Sequence, residues 1–395
     1  MIIISLATND IFARLKILHL SHESLPDWRI EKAAISALNN SHEVAFAGIY
    51  PKDYNNDTFS EIFSVVWTAK ARFGIPFYWR SVKKQLAKII REARPDIVHA
   101  HNIFSAKMIS EFDIPFVYDD HEYWPIQARL LKEIGNLPAS EKTEAVQSVF
   151  DLPKRIRRNF INNYAVKLWT KWESEVVSSH PTITVSSKIA EEMKTTAGNT
   201  GKIFVVPNYP LRAEVGIFTK PLPHPRLSCT YAGGDAHNKE KYPHLNREGL
   251  PELFGNHDIG DLTIIGSEGH SSENVRYVGY LKRDSMYMEM SNHSIGLVPF
   301  KQHWSHAYLN PNKAYEYAHA GLYVMCTSSL TTIRESLKDN CSTFEGYETL
   351  VTQLGYFKSN PDVLYNKRLR IFEFAQANLI WEKNEQDIFT AYQMC

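Results

Sequence analysis

The chain has 395 residues, with 44 Lys and Arg against 44 Asp and Glu, so its formal net charge at neutral pH is zero. This balance argues against binding of nucleic acid through bulk charge, and no apolar run reaches the roughly 18 residues that a membrane span needs. The four cysteines lack disulfide or metal spacing, and the opening MIIISLATND does not have the features of a signal peptide. We therefore expect a cytoplasmic protein of about two domains.

Strand and helix patterns alternate through the first half of the chain. An apolar strand pattern over residues 15–22 precedes the helical repeat RIEKAAISALNN and the strand HEVAFAGIY. A basic amphipathic helix over 81–93 leads through Pro95 to the strand DIVHAH, and IPFVYDD is the next strand. Residues 125–175 are mostly helical in pattern, and PTITVSS and KIFVVPN follow as strands. Strand–helix–strand connections of this length predict parallel sheets.

A proline-rich stretch over residues 207–225 separates two series of strands and is typical of a linker. The second series contains LSCTYAGG, DLTIIGS, NVRYVGYL, HSIGLVPF and LYVMCTS, and the segment after about 366 is helical and rich in aromatics. The pattern predicts an α/β protein with two Rossmann-like domains that face each other across a cleft. Ligands of such sheets bind at the carboxyl ends of the strands.

The string LNPNKAYEYAHAGLYVMCTS predicts a short helix before a buried strand. Asn310 can cap this helix, while Pro311 suits its first position and Gly321 its end. The free amides and the positive dipole end at the start of a helix attract anions. Lys313 lies in that first turn, where its charge opposes the dipole, and this favours a phosphate partner. The alternative is a surface pair of Lys313 with Glu316, three residues later.

Other classes of enzyme are less well supported. No GxxxxGK[ST] or GxGxxG follows a strand, which weakens kinase and dehydrogenase interpretations. His99 and His101 point to one face of their strand, and with His121 and Asp119 they could form the zinc or manganese site of a metal hydrolase. Such hydrolases need further ligands on later strands of one barrel, and the linker at 207–225 interrupts that plan. We therefore expect no metal.

The string PNKAYEYAHAGLYV resembles the donor-site helix of retaining nucleotide-sugar glycosyltransferases of family 4, which have the two-domain GT-B fold. Further strings resemble the same family in order along nearly the whole chain, among them DWRIEKAAISALNNSHEV, PDIVHAH, VYDDHEYWP, ITVSSKIAEEM, VVPNYP, YAGG, TIIGSEG, NVRYVGYL and LIWEKNEQDIFTAYQ. The resemblance implies an N-terminal Rossmann-like acceptor-binding domain over 1–210 and a C-terminal Rossmann-like nucleotide-sugar-binding domain over 211–375. It also implies a closing helix over 376–395 that crosses back to the first domain.

The resemblance implies residues that bind the donor. Glu316 matches the glutamate that accepts from the ribose hydroxyls of the nucleotide, for which two carboxylate oxygens are suitable. Lys241 matches a cation on the diphosphate with a catalytic role. The other donor-binding candidates are Gly233, Gly234, Lys239, Gly266, Tyr280, Leu281, Asn312 and Lys313, with Gly266 expected to allow a close approach to the ligand. Two residues depart from the family pattern: Tyr308 replaces a frequent glutamate near the donor sugar, and Asp235 replaces an arginine.

On the N-terminal side, the resemblance places His121 beside the donor sugar and the acceptor as a catalytic residue. The candidates on the acceptor side are Arg29, His101 and Glu122. Arg29 could bind an anionic acceptor or pair with Asp27. The segment 152–172 mixes basic and aromatic residues and could lie on an anionic membrane, while the alternative is that its aromatics pack on their own domain.

The resemblance implies transfer of a hexose-type sugar from a nucleoside-diphosphate sugar to a hydroxyl of a glycan or lipid-linked acceptor, with retention and without a metal or other cofactor. Two alternatives stay open. A sugar-nucleotide epimerase of the same fold would need a second carboxylate near Glu316. A catalytically silent nucleotide-sugar-binding subunit would explain Tyr308 and Asp235. The expected location is the cytoplasm, or the inner face of the membrane if 152–172 binds lipid.

Overall fold

The computed structural model describes residues 14–54, 57–136, 147–234 and 243–395, with side chains described in these ranges except at 135–136 and 147–158. The chain divides into two compact units, one of residues 1–119 with 392–395 and the other of residues 120–391. The domain limits inferred from the sequence, 1–210, 211–375 and 376–395, stay predictions.

The first unit contains parallel strands in the spatial order β3-β2-β1-β4-β5, covered by helices. The strands are β1 (Lys16–Ser24), β2 (Glu43–Ile49), β3 (Glu61–Ser64), β4 (Ile97–His101) and β5 (Phe116–Asp120), and the helices are α1 (Trp28–Asn39), α2 (Pro76–Ala93) and α3 (Asn102–Ile109). β1 and β4 are buried over nearly their whole length, as expected for a parallel sheet with both faces covered. Their register aligns His19 with His99, and the β4–β5 register aligns His101 with Asp119.

The second unit contains a six-stranded parallel sheet in the order β10-β9-β8-β11-β12-β13 and the parallel pair β6–β7. Its strands are β6 (Thr182–Thr184), β7 (Ile203–Val205), β8 (Ser228–Ala232), β9 (Asp261–Ile265), β10 (Val275–Tyr277), β11 (Ile295–Val298), β12 (Tyr323–Thr327) and β13 (Cys341–Phe344). Its helices are α4 (Trp124–Asn136), α5 (Gln147–Ser179), α6 (Ser187–Thr196), α7 (Arg212–Val215), α8 (Leu250–Asn256), α9 (Arg283–Ser291), α10 (Asn312–His319), α11 (Thr331–Leu337), α12 (Tyr347–Ser359), α13 (Pro361–Asn378) and α14 (Glu385–Gln393), the last of which ends in the first unit.

The strands predicted from apolar runs are all present, and the structure adds β3 and β13. Both added strands lie at the edge of a sheet, and most of their residues are only half-buried or exposed. An edge strand needs little apolar sequence because it has one neighbour and a wet side. EIFS and CSTF therefore carry almost no hydrophobic pattern to detect.

The segment 152–172 lies in α5, and its side chains are described from residue 159 onwards. Trp169 and Trp172 are buried, and the Trp169 ring packs edge-on against Trp124 with centroids 5.5 Å apart. Phe160 is 74% exposed. The tryptophans thus follow the alternative in which aromatics pack on their own domain. Within the described part of the chain, no helix combines the length and the apolar character needed to span a bilayer.

Two histidines of the second unit make its stability sensitive to acid. His306 and His319 are fully buried, and burial lowers the pKa of each to about 4. Because an unfolded histidine has a pKa near 6.5, the unfolded chain binds more protons than the folded chain between these values, and stability is lost as the pH falls. As the pH falls from about 7 to about 5, we expect protonation of each histidine in the unfolded chain to lower the free energy of unfolding by about 2 kcal/mol. Urea unfolding at the two pH values measures the change.

The variant His319→Gln separates this effect from general acid denaturation. His319 donates from Nε2 to the carbonyl of Leu379 at 2.8 Å, and a glutamine amide can also donate there but does not titrate. We expect a shallower loss of stability with acid in the variant than in the parent protein. An unchanged slope would show that His319 is not the group that takes up the proton.

Candidate active site

A cavity of about 470 Å³ lies in the second unit, at the carboxyl ends of β8 and β11 and at the start of α10. Four predicted site residues line it: His121, Glu122, Gly234 and Lys313. The other lining residues are Gln127, Asn208, Tyr231, Leu245, Phe300, Tyr308, Leu309, Asn310 and Pro311. The position agrees with the rule that ligands of parallel sheets bind beyond the carboxyl ends of the strands.

The start of α10 differs from the prediction. Asn310 is not the N-cap of the helix, and its side-chain amide donates to the carbonyl of Val185 at 2.6 Å. Pro311 takes the N-cap position in an extended conformation, and the helix begins at the exposed Asn312. Gly321 follows the end of the helix with a φ of 69°, as predicted. No side chain of the described residues caps α10, so its first amides are available to an anion at the start of the helix.

Lys313 lies against two aromatic rings that line the cavity. Its Nζ donates to the hydroxyl of Tyr231 at 3.3 Å and lies 4.4 Å from the centroid of the Tyr231 ring and 5.5 Å from that of Phe300. No carboxylate of the described residues forms an ion pair with Lys313, so the alternative pair with Glu316 does not form. A cation at a helix start that forms no ion pair within the described ranges is suited to an anionic ligand.

Glycines bring together the loops that follow β8, β9 and β10. A Cβ on Gly233 would lie 2.6 Å from Lys313 Nζ, so a larger residue would displace the lysine. Gly266 has a φ of 88°, and its N–H donates to the carbonyl of Gly279 at 2.7 Å. A Cβ there would lie 3.1 Å from the carbonyl oxygen of Gly233. Gly266 thus closely approaches the backbone of Gly233, and its approach to a ligand stays a prediction.

Tyr280 and Leu281 follow this glycine cluster. The Tyr280 side chain is 86% exposed, and Leu281 is half-buried. The backbone just before them is fixed, because Val278 donates to the carbonyl of Ile264 at 3.0 Å. The loop predicted to contact the nucleotide base thus starts beside Gly266 and the turn after β8.

Arg247 is a further cation at this turn that was not predicted from the sequence. It is 7% exposed, and its guanidinium lies 4.4 Å from the ring centroid of Tyr231. Its Nη2 donates to the carbonyl of Gly234 and to the hydroxyl of Ser267, each at 3.2 Å, while its buried Nη1 has no partner among the described residues. The absence of the family's arginine at Asp235 was the signal that a basic residue could come from further along the chain.

Three residues near this turn, Asp235, Lys239 and Lys241, lie outside the described residues. The diphosphate role of the two lysines therefore stays a prediction.

Glu316 is buried on α10 and does not line the cavity. It accepts from the hydroxyl of Tyr287 at 3.2 Å and from Nη2 of Arg283 at 3.3 Å, and Arg283 also pairs with Glu214 at 3.0 Å. Burial, and after it the charge of Glu316, raises the pKa of Tyr287, so this phenol stays protonated and donates. These two donors hold the Glu316 carboxylate in place.

Tyr308 lines the cavity where the family often has a glutamate. Its hydroxyl donates to Glu192 at 3.4 Å, and its ring lies 6.1 Å from that of Tyr123. Burial and the neighbouring Glu192 raise the pKa of Tyr308, so this position supplies a neutral hydroxyl where the family often has an acid.

In the first unit, Arg29 pairs with Asp119. Its Nη2 lies 2.7 Å from one carboxylate oxygen, and its Nε lies 3.0 and 3.1 Å from the two oxygens, with both side chains buried. Asp27 instead caps α1 by accepting from the backbone N–H groups of Arg29 and Ile30. The expected Arg29–Asp27 pair is therefore wrong, and burial of Arg29 gives no support for its contact with an acceptor.

Three stacked imidazoles lie beside this ion pair. His19, His99 and His101 have ligand atoms within 4.8 Å of one another, which is compatible with a metal site. Their ring planes are parallel to within 20°, whereas three imidazoles on one ion must converge on it. His19 Nδ1 lies 3.0 Å from His101 Nε2, and His99 Nε2 lies 3.2 Å from Asp119. The arrangement fits a hydrogen-bonded stack, and full burial of His101 gives no support for its acceptor role.

The chain is similar to glycosyltransferases in sequence and in fold. Residues 37–209 match the model of Glycosyltransferase Family 4. Sucrose-phosphate synthase from Thermosynechococcus elongatus has 13% identity and a TM-score of 0.65 over 96% of this chain and 98% of that one. A glycosyltransferase from Rickettsia africae has 12% identity and a TM-score of 0.64 over 97% and 98% of the two chains. HepE of Anabaena in complex with UDP has 9% identity and a TM-score of 0.62 over 97% and 100%.

No curated protein matches the chain significantly in sequence. At these identities the solved structures establish the fold, and the family model adds the match in sequence over residues 37–209. The two together confirm the resemblance inferred from the strings. The chain therefore has the GT-B fold, and its residues 37–209 resemble Glycosyltransferase Family 4 in sequence.

Proposed function

We propose that the protein takes a nucleoside-diphosphate sugar in the cavity at α10 and transfers its hexose-type sugar to a hydroxyl of a glycan or lipid-linked acceptor. The observation that carries this proposal is Lys313, which has no acidic partner among the described residues and lies between the start of α10 and the turn after β8. The HepE structures with UDP and with UDP-glucose, which share the fold, support a nucleotide-sugar donor.

The main chemical task is to stabilise the diphosphate as it leaves the sugar. In the proposed reaction the bond between the anomeric carbon and its phosphate oxygen breaks, and the acceptor oxygen bonds to the same face of that carbon. The proton of the acceptor hydroxyl ends on the departing phosphate. Lys313, the amides at the start of α10 and the nearby charge of Arg247 meet the developing negative charge. His121 and Glu122, which also line the cavity, are proposed to contact the sugar and the acceptor.

We propose further that transfer needs no metal ion, because protein cations and amides take the place that a divalent cation would have on the diphosphate. Purified protein is incubated with a panel of nucleotide sugars and a mixture of glycan and lipid-linked acceptors, with and without EDTA. We expect transfer from one donor, unchanged by EDTA. Conversion of the donor without acceptor would identify an epimerase, and donor binding without any transfer would identify a silent subunit.

The variant Glu316→Gln tests the proposed contact with the ribose hydroxyls. If the carboxylate accepts from them, the amide loses a charge-assisted hydrogen bond worth about 1.5–3 kcal/mol, and donor affinity falls about tenfold to more than a hundredfold. Calorimetric titration with the nucleoside diphosphate measures the change.

Glu214→Gln is the matched control, because Glu214 is the other carboxylate that pairs with Arg283. We expect this variant to keep the affinity of the parent protein. A 2′,3′-dideoxy nucleotide should bind the parent protein and Glu316→Gln about equally, because both hydroxyls that would donate to the carboxylate are then missing. Equal binding of the ordinary nucleotide by parent and Glu316→Gln would remove the ribose assignment.

A further inference from the structure

We propose that α2 and the loop before it bind the surface of a membrane that contains anionic phospholipid. The proposal concerns a surface of the first unit and does not rest on the reaction proposed for the second.

The evidence begins with a stripe of cations on α2. Four exposed cations follow one another at intervals of four, four and three residues: Arg80, Lys84, Lys88 and Arg91. At this spacing they lie along one face of the helix. None of them forms an ion pair with a carboxylate of the described residues. We call these residues the basic stripe.

The opposite face of α2 holds the helix on its own unit. The buried side chains of this face are Trp79, Val82, Leu86, Ile89 and Ala93. The remaining lysine of the helix, Lys83, is at the border and pairs with Glu111 at 2.6 Å. The apolar face of α2 thus packs on its own unit, and the basic stripe faces solvent with no carboxylate partner in the described part of the chain.

Exposed apolar side chains continue the basic stripe at its N-terminal end. Phe77 is 76% exposed and lies three residues before Arg80, while Ile75 is 41% exposed. Val66 is 63% exposed and lies beside the helix, since its N–H donates to the side chain of Gln85 at 3.0 Å. Large apolar groups in this setting incur a cost in water that a lipid interface removes.

The combination of cations and exposed apolar side chains favours an anionic membrane as the partner. Cations next to exposed aliphatic and aromatic groups match an anionic headgroup layer above hydrocarbon, where cations bind phosphate and apolar groups insert. Nucleic acid would use the cations but would leave Val66 and Ile75 exposed. The chain as a whole has zero net charge, so the attraction must come from this local segregation.

The full chain is sedimented with vesicles of phosphatidylcholine alone and of phosphatidylcholine with phosphatidylglycerol. We expect binding only to the anionic vesicles, weakening as salt is added. Each cation near an anionic surface strengthens binding about fivefold, so the joint variant Arg80→Gln, Lys84→Gln, Lys88→Gln and Arg91→Gln should lose several hundredfold in affinity. Phe77→Ser should lose about tenfold.

A matched control removes four exposed cations of the second unit: Lys194→Gln, Lys202→Gln, Arg370→Gln and Lys383→Gln. It has the same net charge as the stripe variant, and we expect it to keep vesicle binding within a fewfold of the parent. Thermal unfolding of both variants checks that they are folded, which we expect because the replaced side chains are exposed.

Several results would overturn the proposal. One is that the parent protein does not bind anionic vesicles. Another is that the stripe variant binds them as tightly as the parent, and a third is that the stripe variant and its control lose vesicle affinity equally. Unchanged binding of Phe77→Ser would also contradict it, since the surface would then act by charge alone. Displacement of the vesicles by a single-stranded RNA that binds more tightly would assign the basic stripe to nucleic acid instead.

Discussion

Replacing Lys313 by methionine is expected to lower turnover of the nucleotide sugar about a hundredfold to a thousandfold, the usual effect of removing a group that stabilises the leaving charge. Methionine fills the space of the lysine stem over Tyr231 but carries no cation. Because Lys313 pairs with no carboxylate of the described residues, its loss leaves no buried charge uncompensated, and the fold should persist. Steady-state kinetics at saturating donor measures the effect.

Lys194→Met serves as the control, since Lys194 is an exposed lysine of the same unit away from the cavity. It should keep the turnover of the parent protein within about a factor of two, as surface substitutions usually do. If Lys313→Met also keeps full turnover and full donor affinity, the cavity at α10 is not the place where the diphosphate binds.

The second large effect is expected in stability. Arg29→Met removes the partner of Asp119 and leaves a buried carboxylate without its cation, which should lower the free energy of unfolding by about 3–5 kcal/mol. Urea unfolding monitored by circular dichroism measures it. The loss should be largest at neutral pH, where an unpaired carboxylate would be charged, and smaller in acid, where it can protonate.

The double variant Arg29→Met with Asp119→Asn tests whether the lost charge partner is the cause. We expect it to recover part of the stability, because a neutral amide beside a thioether is easier to bury than a lone carboxylate. A loss below about 1 kcal/mol in Arg29→Met would mean that neighbouring groups such as His99 and His101 compensate for the arginine.

The sequence predicts well what a few neighbouring residues decide. The helix over Trp28–Asn39 follows from apolar residues at helical spacing, and the buried strand Ile97–His101 follows from an unbroken apolar run. The alternation of such elements predicts the parallel α/β architecture. The two short edge strands were not predicted, because their residues need only partial burial and so form no apolar run.

What depends on distant parts of the chain could not be predicted. Arg29 and Asp119 are 90 residues apart, and only the sheet order brings them into contact. The same limit applies to Asn310, a strong candidate for a helix cap by type. Pro311 is the N-cap instead, and the Asn310 amide donates to the carbonyl of Val185, 125 residues away in the sequence. Arg247 has no motif of its own, and only its position beside Tyr231 shows that it belongs to the site.

The contacts among Gly233, Gly266 and Gly279 limit how this site can evolve or be redesigned. Loops after three successive strands are joined there through backbone atoms, and a side chain at Gly266 would force the carbonyl of Gly233 to move. In the proposed donor site, we therefore expect substitution at these glycines to displace the backbone and not to change the preference for sugar or base. We expect a change of preference to come from side chains beyond them, such as the exposed Tyr280.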